Sequence, residues 1–150
     1  MRFTLFTTIV ALGALACGGE KKADQSQTAG QTGMAAPAGP VVEVKMTGNG
    51  STTAAFEPAA ITIAPGTTVR FINVSGGPHN IAFWGDSIPA GAAAVLTAAM
   101  PNSIDNLSGP FLLQPNETYE VTFTNAPTGA YKGYCTPHLA LGMKIAITVQ

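Results

Sequence analysis

Short runs in which hydrophobic and polar residues alternate make up most of the chain from Val41 onwards. Alternation puts every second side chain on one face, which is the pattern of a half-buried β-strand. Turn sequences such as Pro65-Gly66 and Gly77-Pro78 separate the runs. Strands of this length with turns between them are typical of an antiparallel sandwich or barrel. The predicted strands are 41–46, 60–64, 67–74, 79–84, 118–124, 130–135 and 143–149.

The segment 85–110 departs from the strand pattern. Residues 91–100 are rich in alanine, the strongest helix former, and Pro101 follows them. We therefore predict a short helical insertion around residues 90–100. A connection this long in a compact domain usually covers a core or a site, so we expect a helical flap over one end of the sandwich.

The N-terminus has the pattern of an export signal. Met1 and Arg2 precede an apolar run over 3–16. This run is shorter than the ~20 residues of a membrane-spanning helix but suits the core of a signal peptide. We therefore predict a signal peptide over residues 1–16.

Two interpretations of Cys17 remain open. Ala14-Leu15-Ala16-Cys17 fits ordinary signal cleavage, which would leave a free thiol at the new terminus, and it also resembles a bacterial lipobox. We favour acylation of Cys17 as a membrane anchor, because an exposed thiol would be prone to oxidation. Residues 18–40 contain no Val, Leu, Ile, Phe, Tyr or Trp. A segment with so little to bury predicts a disordered linker over 17–40 and a folded domain over 41–150.

Charge and ligand counts exclude several functions. Lys and Arg number 7 and Asp and Glu number 8, giving a formal charge of −1, so the chain lacks the basic surface that nucleic acid requires. The domain from Val41 has four basic and six acidic residues, which predicts weak electrostatic steering of partners. The chain has 2 Cys and 2 His, but Cys17 precedes the folded part, which therefore cannot build a zinc site of four cysteines or of two cysteines and two histidines.

Four soft or borderline metal donors nevertheless occur in a suggestive order. Cys135, His138 and Met143 fall within nine residues around a proline-containing loop, and His79 begins an earlier predicted strand. Each alone is more often structural, because single buried Cys and Met residues usually pack in cores. Together they form the set of two imidazoles, one thiolate and a thioether found in blue-copper electron-transfer sites. Zinc could occupy the thiolate and both imidazoles, but a thioether adds little for it.

The sequence resembles the cupredoxins, the type 1 copper proteins that include plastocyanin, auracyanin and azurin, over residues 41–150. The motifs that carry the resemblance are Phe56-Glu57-Pro58, the stretch 65–73, Pro78-His79-Asn80-Ile81, and the stretch 129–135 with the loop that follows it. The resemblance implies an all-β, Greek-key β-sandwich or barrel. It also implies that one copper ion is bound by His79, Cys135, His138 and Met143. The loop from Cys135 to Met143 has the plastocyanin spacing whereas segment 85–110 is closer to auracyanins, so the subfamily stays open.

The resemblance also implies roles for the residues around these ligands. Pro78 stands where azurins have a glycine that supplies an extra axial contact, which points to four ligands here. Asn80 is expected to offer its backbone N–H to the sulfur of Cys135, and its side chain to Thr136. If His138 reaches the surface, the apolar residues beside it would form a docking collar for a partner. That collar comprises Pro137, Leu139 and Leu141.

The predicted function is that of a single-domain, monomeric electron carrier without enzymatic activity. Its expected partners are cytochromes or membrane redox complexes on the exported side of a bacterial membrane. The alternative is copper binding or delivery without a dedicated redox partner. Copper nitrite reductases and oxidases need further copper sites with more histidines. Cysteine hydrolase chemistry at Cys135 and His138 would leave His79 and Met143 unexplained.

Overall fold

The structure is a computed structural model that describes residues 39–150. The predicted signal peptide over 1–16, the predicted lipidation at Cys17 and the linker up to residue 38 lie outside the described residues. Ordered pairing begins just before β1, because the backbone N–H of Thr68 donates to the carbonyl oxygen of Pro40 at 2.8 Å. Within residues 39–150, no helix has the length and apolar character needed to cross a membrane.

Two four-stranded sheets make up the described domain, with strand orders β2-β1-β4-β6 and β3-β8-β7-β5. We call them the first sheet and the second sheet. One α-helix and one short 3-10 turn, Leu139–Leu141, complete the regular structure of this part of the chain. The elements are β1 Val41–Gly48, β2 Ala54–Glu57, β3 Ala60–Ile63, β4 Thr68–Asn73, β5 Ala82–Phe83, α1 Ala92–Ala99, β6 Thr118–Thr122, β7 Gly129–Tyr134 and β8 Lys144–Val149.

The predicted β-sandwich is confirmed, and the described residues form two separate sheets rather than a closed barrel. The expected antiparallel arrangement was wrong for two pairs, because β1 pairs with β4 and β3 with β8 in parallel. The reason lies in the connections. β2 and β3 intervene between β1 and β4 and belong to different sheets, so the chain returns to the first sheet in its starting direction. Alternation fixes which face of a strand is buried, but not which strand lies beside it.

Alternate residues of the strands form the core between the sheets. Val44 and Met46 of β1 are fully buried, as are Val69 and Phe71 of β4, the parallel neighbour of β1. The second sheet contributes the buried residues of β8. Burial of this kind stabilises the fold by about 1.5–3 kcal/mol for each large apolar side chain. The buried residues of β8 are Ile145, Ile147 and Val149.

The predicted helical insertion is confirmed as α1, Ala92–Ala99. Its buried residues Ala92 and Leu96 join the hydrophobic core. The predicted strand 79–84 is shorter than expected, with only Ala82–Phe83 in β5. His79 instead forms an isolated bridge with Leu112, at the end of the connection that contains α1. This connection includes Pro110, which lacks the N–H that a longer ladder would need.

Candidate metal centre

Three parts of the fold bring the four predicted donors to one end of the sandwich. Cys135 directly follows β7, and Met143 directly precedes β8. These two strands are antiparallel neighbours, and the backbone N–H of Cys135 donates to the carbonyl oxygen of Met143 at 3.1 Å. His138 lies in the loop between them, whereas His79 comes from the segment that follows β4. The site therefore depends on the packing of distant stretches of the chain.

The donor atoms of His79, Cys135 and His138 form a compact triangle. Sγ of Cys135 lies 3.7 Å from Nδ1 of His79 and 3.6 Å from Nδ1 of His138, and the two Nδ1 atoms are 3.1 Å apart. The circle through three points with these separations has a radius of about 2.0 Å, which matches the ~2.0–2.3 Å of metal–nitrogen and metal–sulfur bonds. The three atoms thus fit around one metal ion.

His79 is oriented by its other ring nitrogen. Its Nε2 lies 2.9 Å from the carbonyl oxygen of Ser75, which accepts a hydrogen bond and so places the ring proton on Nε2. Nδ1 then presents a lone pair to the site. The turn before His79 passes close to β1, because a Cβ on Gly76, whose φ is +75°, would collide with the backbone of Gly48. The glycine allows this close approach and the positive φ.

His138 lies at the boundary between the site and solvent. It is 6% exposed, whereas His79 is fully buried. In the described part of the chain, the one fully buried side-chain nitrogen or oxygen atom without a hydrogen-bond partner is Oδ1 of Asn73. Nε2 of His138 also has no hydrogen-bond partner there, so it is not fully buried. This edge of the ring therefore keeps some contact with solvent. Burial, followed by the nearby His79, lowers the pKa of His138.

The thiol of Cys135 is buried among groups that favour a charged sulfur. Burial raises its pKa, while hydrogen bonds from the backbone N–H groups of Asn80 and His138 act in the opposite direction. The Asn80 N–H lies 3.5 Å from Sγ. A metal cation at the centre of the donor triangle would favour the thiolate directly.

Asn80 ties the two halves of the site together. Its Oδ1 accepts a hydrogen bond from the backbone N–H of Thr136 at 2.8 Å, and its Nδ2 lies 3.2 Å from Oγ1 of the same residue. Nδ2 also lies 3.1 Å from Oγ of Ser108 and 3.3 Å from the carbonyl oxygen of Gly109. The segment that carries His79 is thus held to the loop that carries Cys135.

The structure places the remaining predicted residues around this centre. Pro78 is next to His79 in the chain and exposed, and Met143 is fully buried. Pro137 and Leu141 are exposed beside His138, with Leu139 half-buried between them. The predicted collar therefore presents apolar surface at the end of the sandwich where His138 meets solvent.

Two supports of the site were missed from the sequence. Ser75 acts through its backbone carbonyl, which any residue type would provide, so no side-chain signal marks it. Leu112 exchanges two hydrogen bonds with His79, since the His79 N–H donates at 3.1 Å and the Leu112 N–H donates at 2.7 Å. The insertion containing α1 thus ends by bracing the segment of His79, a role that the predicted flap did not include.

The donor set distinguishes copper from other metals. A thiolate, two imidazoles and a buried thioether from Met143 together favour copper over Mg, Ca or Mn, which prefer oxygen ligands. Zinc would use only the first three donors. The four residues fit a single copper site, which agrees with the predicted cofactor.

Comparisons with known proteins agree with this geometry. The model of the family described as "Copper binding proteins, plastocyanin/azurin family" matches residues 42–150. The chain is 42% identical to plastocyanin A/B of Petroselinum crispum over 96 residues, which cover 63% of this chain and 87% of the relative. It is 38% identical to plastocyanin of Rumex obtusifolius over 109 residues, covering 73% of this chain and all (100%) of the relative.

Solved structures give the same result. Oxidized plastocyanin from Dryopteris crassirhizoma aligns with a TM-score of 0.56 and 32% identity, covering 73% of this chain and 100% of that one. Reduced auracyanin from the photosynthetic bacterium Roseiflexus castenholzii aligns with a TM-score of 0.51 and 27% identity, covering 75% and 98%. The predicted resemblance and the copper cofactor are confirmed. The chain belongs to the plastocyanin/azurin family of copper-binding, electron-transfer proteins.

Proposed function

We propose that this chain is a one-electron carrier in which His79, Cys135, His138 and Met143 bind a single copper ion. The observation that carries the proposal is the donor triangle of His79, Cys135 and His138, whose donor atoms are 3.1, 3.6 and 3.7 Å apart although His79 comes from a distant part of the chain. When bound, copper supplies a couple between Cu(I) and Cu(II) that takes up or releases one electron.

The residues of the site suit this role because their donor atoms have little freedom to move. The Ser75 carbonyl fixes the ring of His79, and the Asn80 N–H lies against the sulfur of Cys135. Asn80 also links its own segment to Thr136. A donor set held in place in this way changes little when one electron arrives, which favours rapid electron transfer. Such supporting contacts orient the ligands of metal sites and tune their potentials.

The partners we propose are cytochromes or other redox proteins that dock at the His138 end. His138 has a ring edge in contact with solvent, and Pro137, Leu139 and Leu141 provide apolar surface beside it. Transient redox complexes typically bury small interfaces, below ~1,200 Å², so a small apolar surface suits a partner of this kind. We propose that the chain acts as a monomer and has no catalytic site of its own.

We also propose that the domain over 41–150 works on the exported side of a bacterial membrane. The support is the sequence pattern of residues 1–16 and of Ala14-Leu15-Ala16-Cys17. Acylated Cys17 would anchor the chain, and the linker up to residue 40 would let the domain reach its partners.

The anchor is tested by expressing the full chain and its Cys17→Ala variant in a bacterium that processes lipoproteins. We expect the unchanged chain in the membrane fraction with mass added at Cys17, and the variant released to the soluble exported fraction. Release of both chains in equal amounts, with a free thiol at Cys17 of the unchanged chain, would support ordinary signal cleavage and contradict the anchor.

The electron-carrier proposal is tested by titrating the metal-free chain with Cu(II) and recording voltammograms of the product. We expect an intense visible band from sulfur-to-copper charge transfer, a narrow copper hyperfine splitting, and a reversible one-electron wave. Colourless product or square-planar copper spectra would contradict the proposal. So would an irreversible wave combined with rapid loss of Cu(I) to a chelator, a result expected of a copper-delivery protein.

A further inference from the structure

The backbone carbonyl of Leu112 supports the segment that carries His79. Its oxygen accepts the backbone N–H of His79 at 3.1 Å and the side-chain amide Nδ2–H of Asn73 at 3.0 Å. Asn73 is the last residue of β4 and precedes His79 by six positions. One carbonyl therefore joins the end of β4, the insertion that contains α1, and the backbone of a proposed copper ligand.

The peptide group between Leu112 and Leu113 is held on both of its sides. Its N–H, which belongs to Leu113, donates to Oε2 of Glu117 at 2.5 Å. The backbone carbonyl of Glu117 in turn accepts the N–H of Asn73 at 2.9 Å, so the turn is anchored on β4. Consecutive hydrogen bonds of this kind polarise and strengthen one another. The direction of the Leu112 carbonyl is thus fixed by groups that lie outside the donor triangle.

The amide of Asn73 is buried with only part of its hydrogen-bonding capacity used. Asn73 is 1% exposed, and among residues 39–150 its Oδ1 has no hydrogen-bond partner. A buried oxygen that is left unpaired destabilises the folded state. An apolar side chain of similar shape would avoid this penalty. The stability of the fold therefore does not explain why an amide stands at this position.

The same amide packs against the turn that leads to His79. A Cβ on Gly77 would lie 2.8 Å from Nδ2 of Asn73 and 3.3 Å from the carbonyl oxygen of Leu112. Glycine permits this close approach of the backbone to both groups. A displacement of the amide or of the carbonyl would therefore move the backbone that directs the ring of His79.

We propose that Asn73 is a positioning residue for His79 and acts through the carbonyl of Leu112. Its amide holds the carbonyl that receives the His79 N–H, while the carbonyl of Ser75 holds the ring at Nε2. Together these contacts direct Nδ1 of His79 towards the centre of the donor triangle. The inference rests on the proposed function, because the position of this nitrogen matters for a copper ion that His79 binds.

Two variants of the copper-loaded chain remove the amide and differ in size. Asn73→Leu keeps the approximate shape of the side chain, whereas Asn73→Ala leaves a cavity. We expect both to lower the affinity for Cu(II) about tenfold, as is typical when a group that orients a metal ligand is removed. Cu(I) relies more on the sulfur donors and should lose less. A tenfold loss for Cu(II) alone raises the reduction potential by ~59 mV, which voltammetry measures.

Thermal unfolding of the metal-free chain separates positioning from packing. We expect Asn73→Leu to unfold within about 4 °C of the unchanged chain, because the Leu112 carbonyl keeps the His79 N–H and the unpaired Oδ1 disappears. Asn73→Ala should unfold at a clearly lower temperature because of its cavity. A positioning role thus predicts similar shifts in potential for two variants of different stability.

Thr68→Val is the matched control on the same strand. Thr68 is a fully buried polar residue at the opposite end of β4, and its Oγ1 lies 2.9 Å from Oγ1 of Thr122. The change removes a buried side-chain hydrogen bond far from the donor triangle along the strand. We expect it to alter the unfolding temperature but to leave the potential and the Cu(II) affinity unchanged.

Amide hydrogen exchange of the metal-free chain tests the contact without copper. The His79 N–H should exchange about tenfold faster in both Asn73 variants than in the unchanged chain, because a carbonyl that is held less firmly releases this donor more often. The rate is taken relative to that of the Phe71 N–H in the middle of β4, which corrects for overall stability. Thr68→Val should leave this ratio unchanged.

Three results would overturn the inference: a shift in potential for Asn73→Ala alone, an equal shift for Thr68→Val, or unchanged exchange at His79 in both Asn73 variants. The failure of the proposed function would look different, because the unchanged chain would then lack a reversible one-electron wave. Faster exchange at His79 in the metal-free variants would still show that Asn73 positions this segment.

Discussion

Cys135→Ser abolishes the intense visible absorption of the copper-loaded chain and weakens copper binding by more than ~100-fold, if Cys135 supplies the thiolate. Removing a supporting residue around a metal typically costs 10–100-fold in affinity, so loss of a ligand should exceed that range. The visible band requires sulfur, which serine lacks. Absorption spectra and competition with a Cu(II) chelator measure both effects.

The fold should survive this substitution, which makes the result interpretable. Cys135 is fully buried, and the Asn80 N–H that lies 3.5 Å from its sulfur can donate to a serine hydroxyl instead. We expect thermal unfolding of the metal-free variant to show a loss of about 1 kcal/mol. Cys17→Ser is the matched control, because the chain has 2 Cys, and it should keep the full band. Retention of the band in Cys135→Ser would contradict the assigned ligand.

Met143→Leu should keep the visible band and raise the reduction potential. A thioether is a weak axial donor that favours Cu(II), so its removal favours Cu(I). Each tenfold loss of Cu(II) affinity relative to Cu(I) raises the potential of a one-electron couple by ~59 mV. Voltammetry of the variant and of the unchanged chain in the same buffer measures the shift.

The chain offers a control for the packing effect of this change. Met46 of β1 is also fully buried but lies in the core between the sheets. Met46→Leu and Met143→Leu conserve volume and should each cost less than ~1.5 kcal/mol of stability. Only Met143→Leu should move the potential. Loss of copper binding in Met143→Leu, or an equal shift in Met46→Leu, would argue against an axial role for Met143.

The strands and donors could be predicted from the sequence because both depend on local pattern. Alternation predicted a strand over 67–74, and in the observed strand β4 the alternate residues Val69, Phe71 and Asn73 are all buried. The spacing from Cys135 to Met143 identified three donors, because a loop between two strands keeps residues near in sequence near in space. The identity of the metal followed from the chemistry of the donors.

The features that were missed depend on contacts between distant segments. The parallel pairing of β1 with β4 follows from how the intervening strands cross between sheets, which no single run of residues encodes. β2 was missed because its sequence, AAFE, has little β propensity. The contact of Leu112 with His79 joins residues on either side of the insertion, and the hydrogen bond from His79 to Ser75 uses only backbone on one side.

The central claim is that two distant stretches of this chain meet at one copper ion, and diffraction at the copper absorption edge tests it directly. Crystals of the copper-loaded chain should show one anomalous peak per molecule, about 2.0–2.3 Å from Nδ1 of His79, Nδ1 of His138 and Sγ of Cys135. The sulfur of Met143 should lie farther away as a weak axial ligand. A peak that leaves His79 beyond bonding distance, or copper bound elsewhere on the chain, would contradict the account.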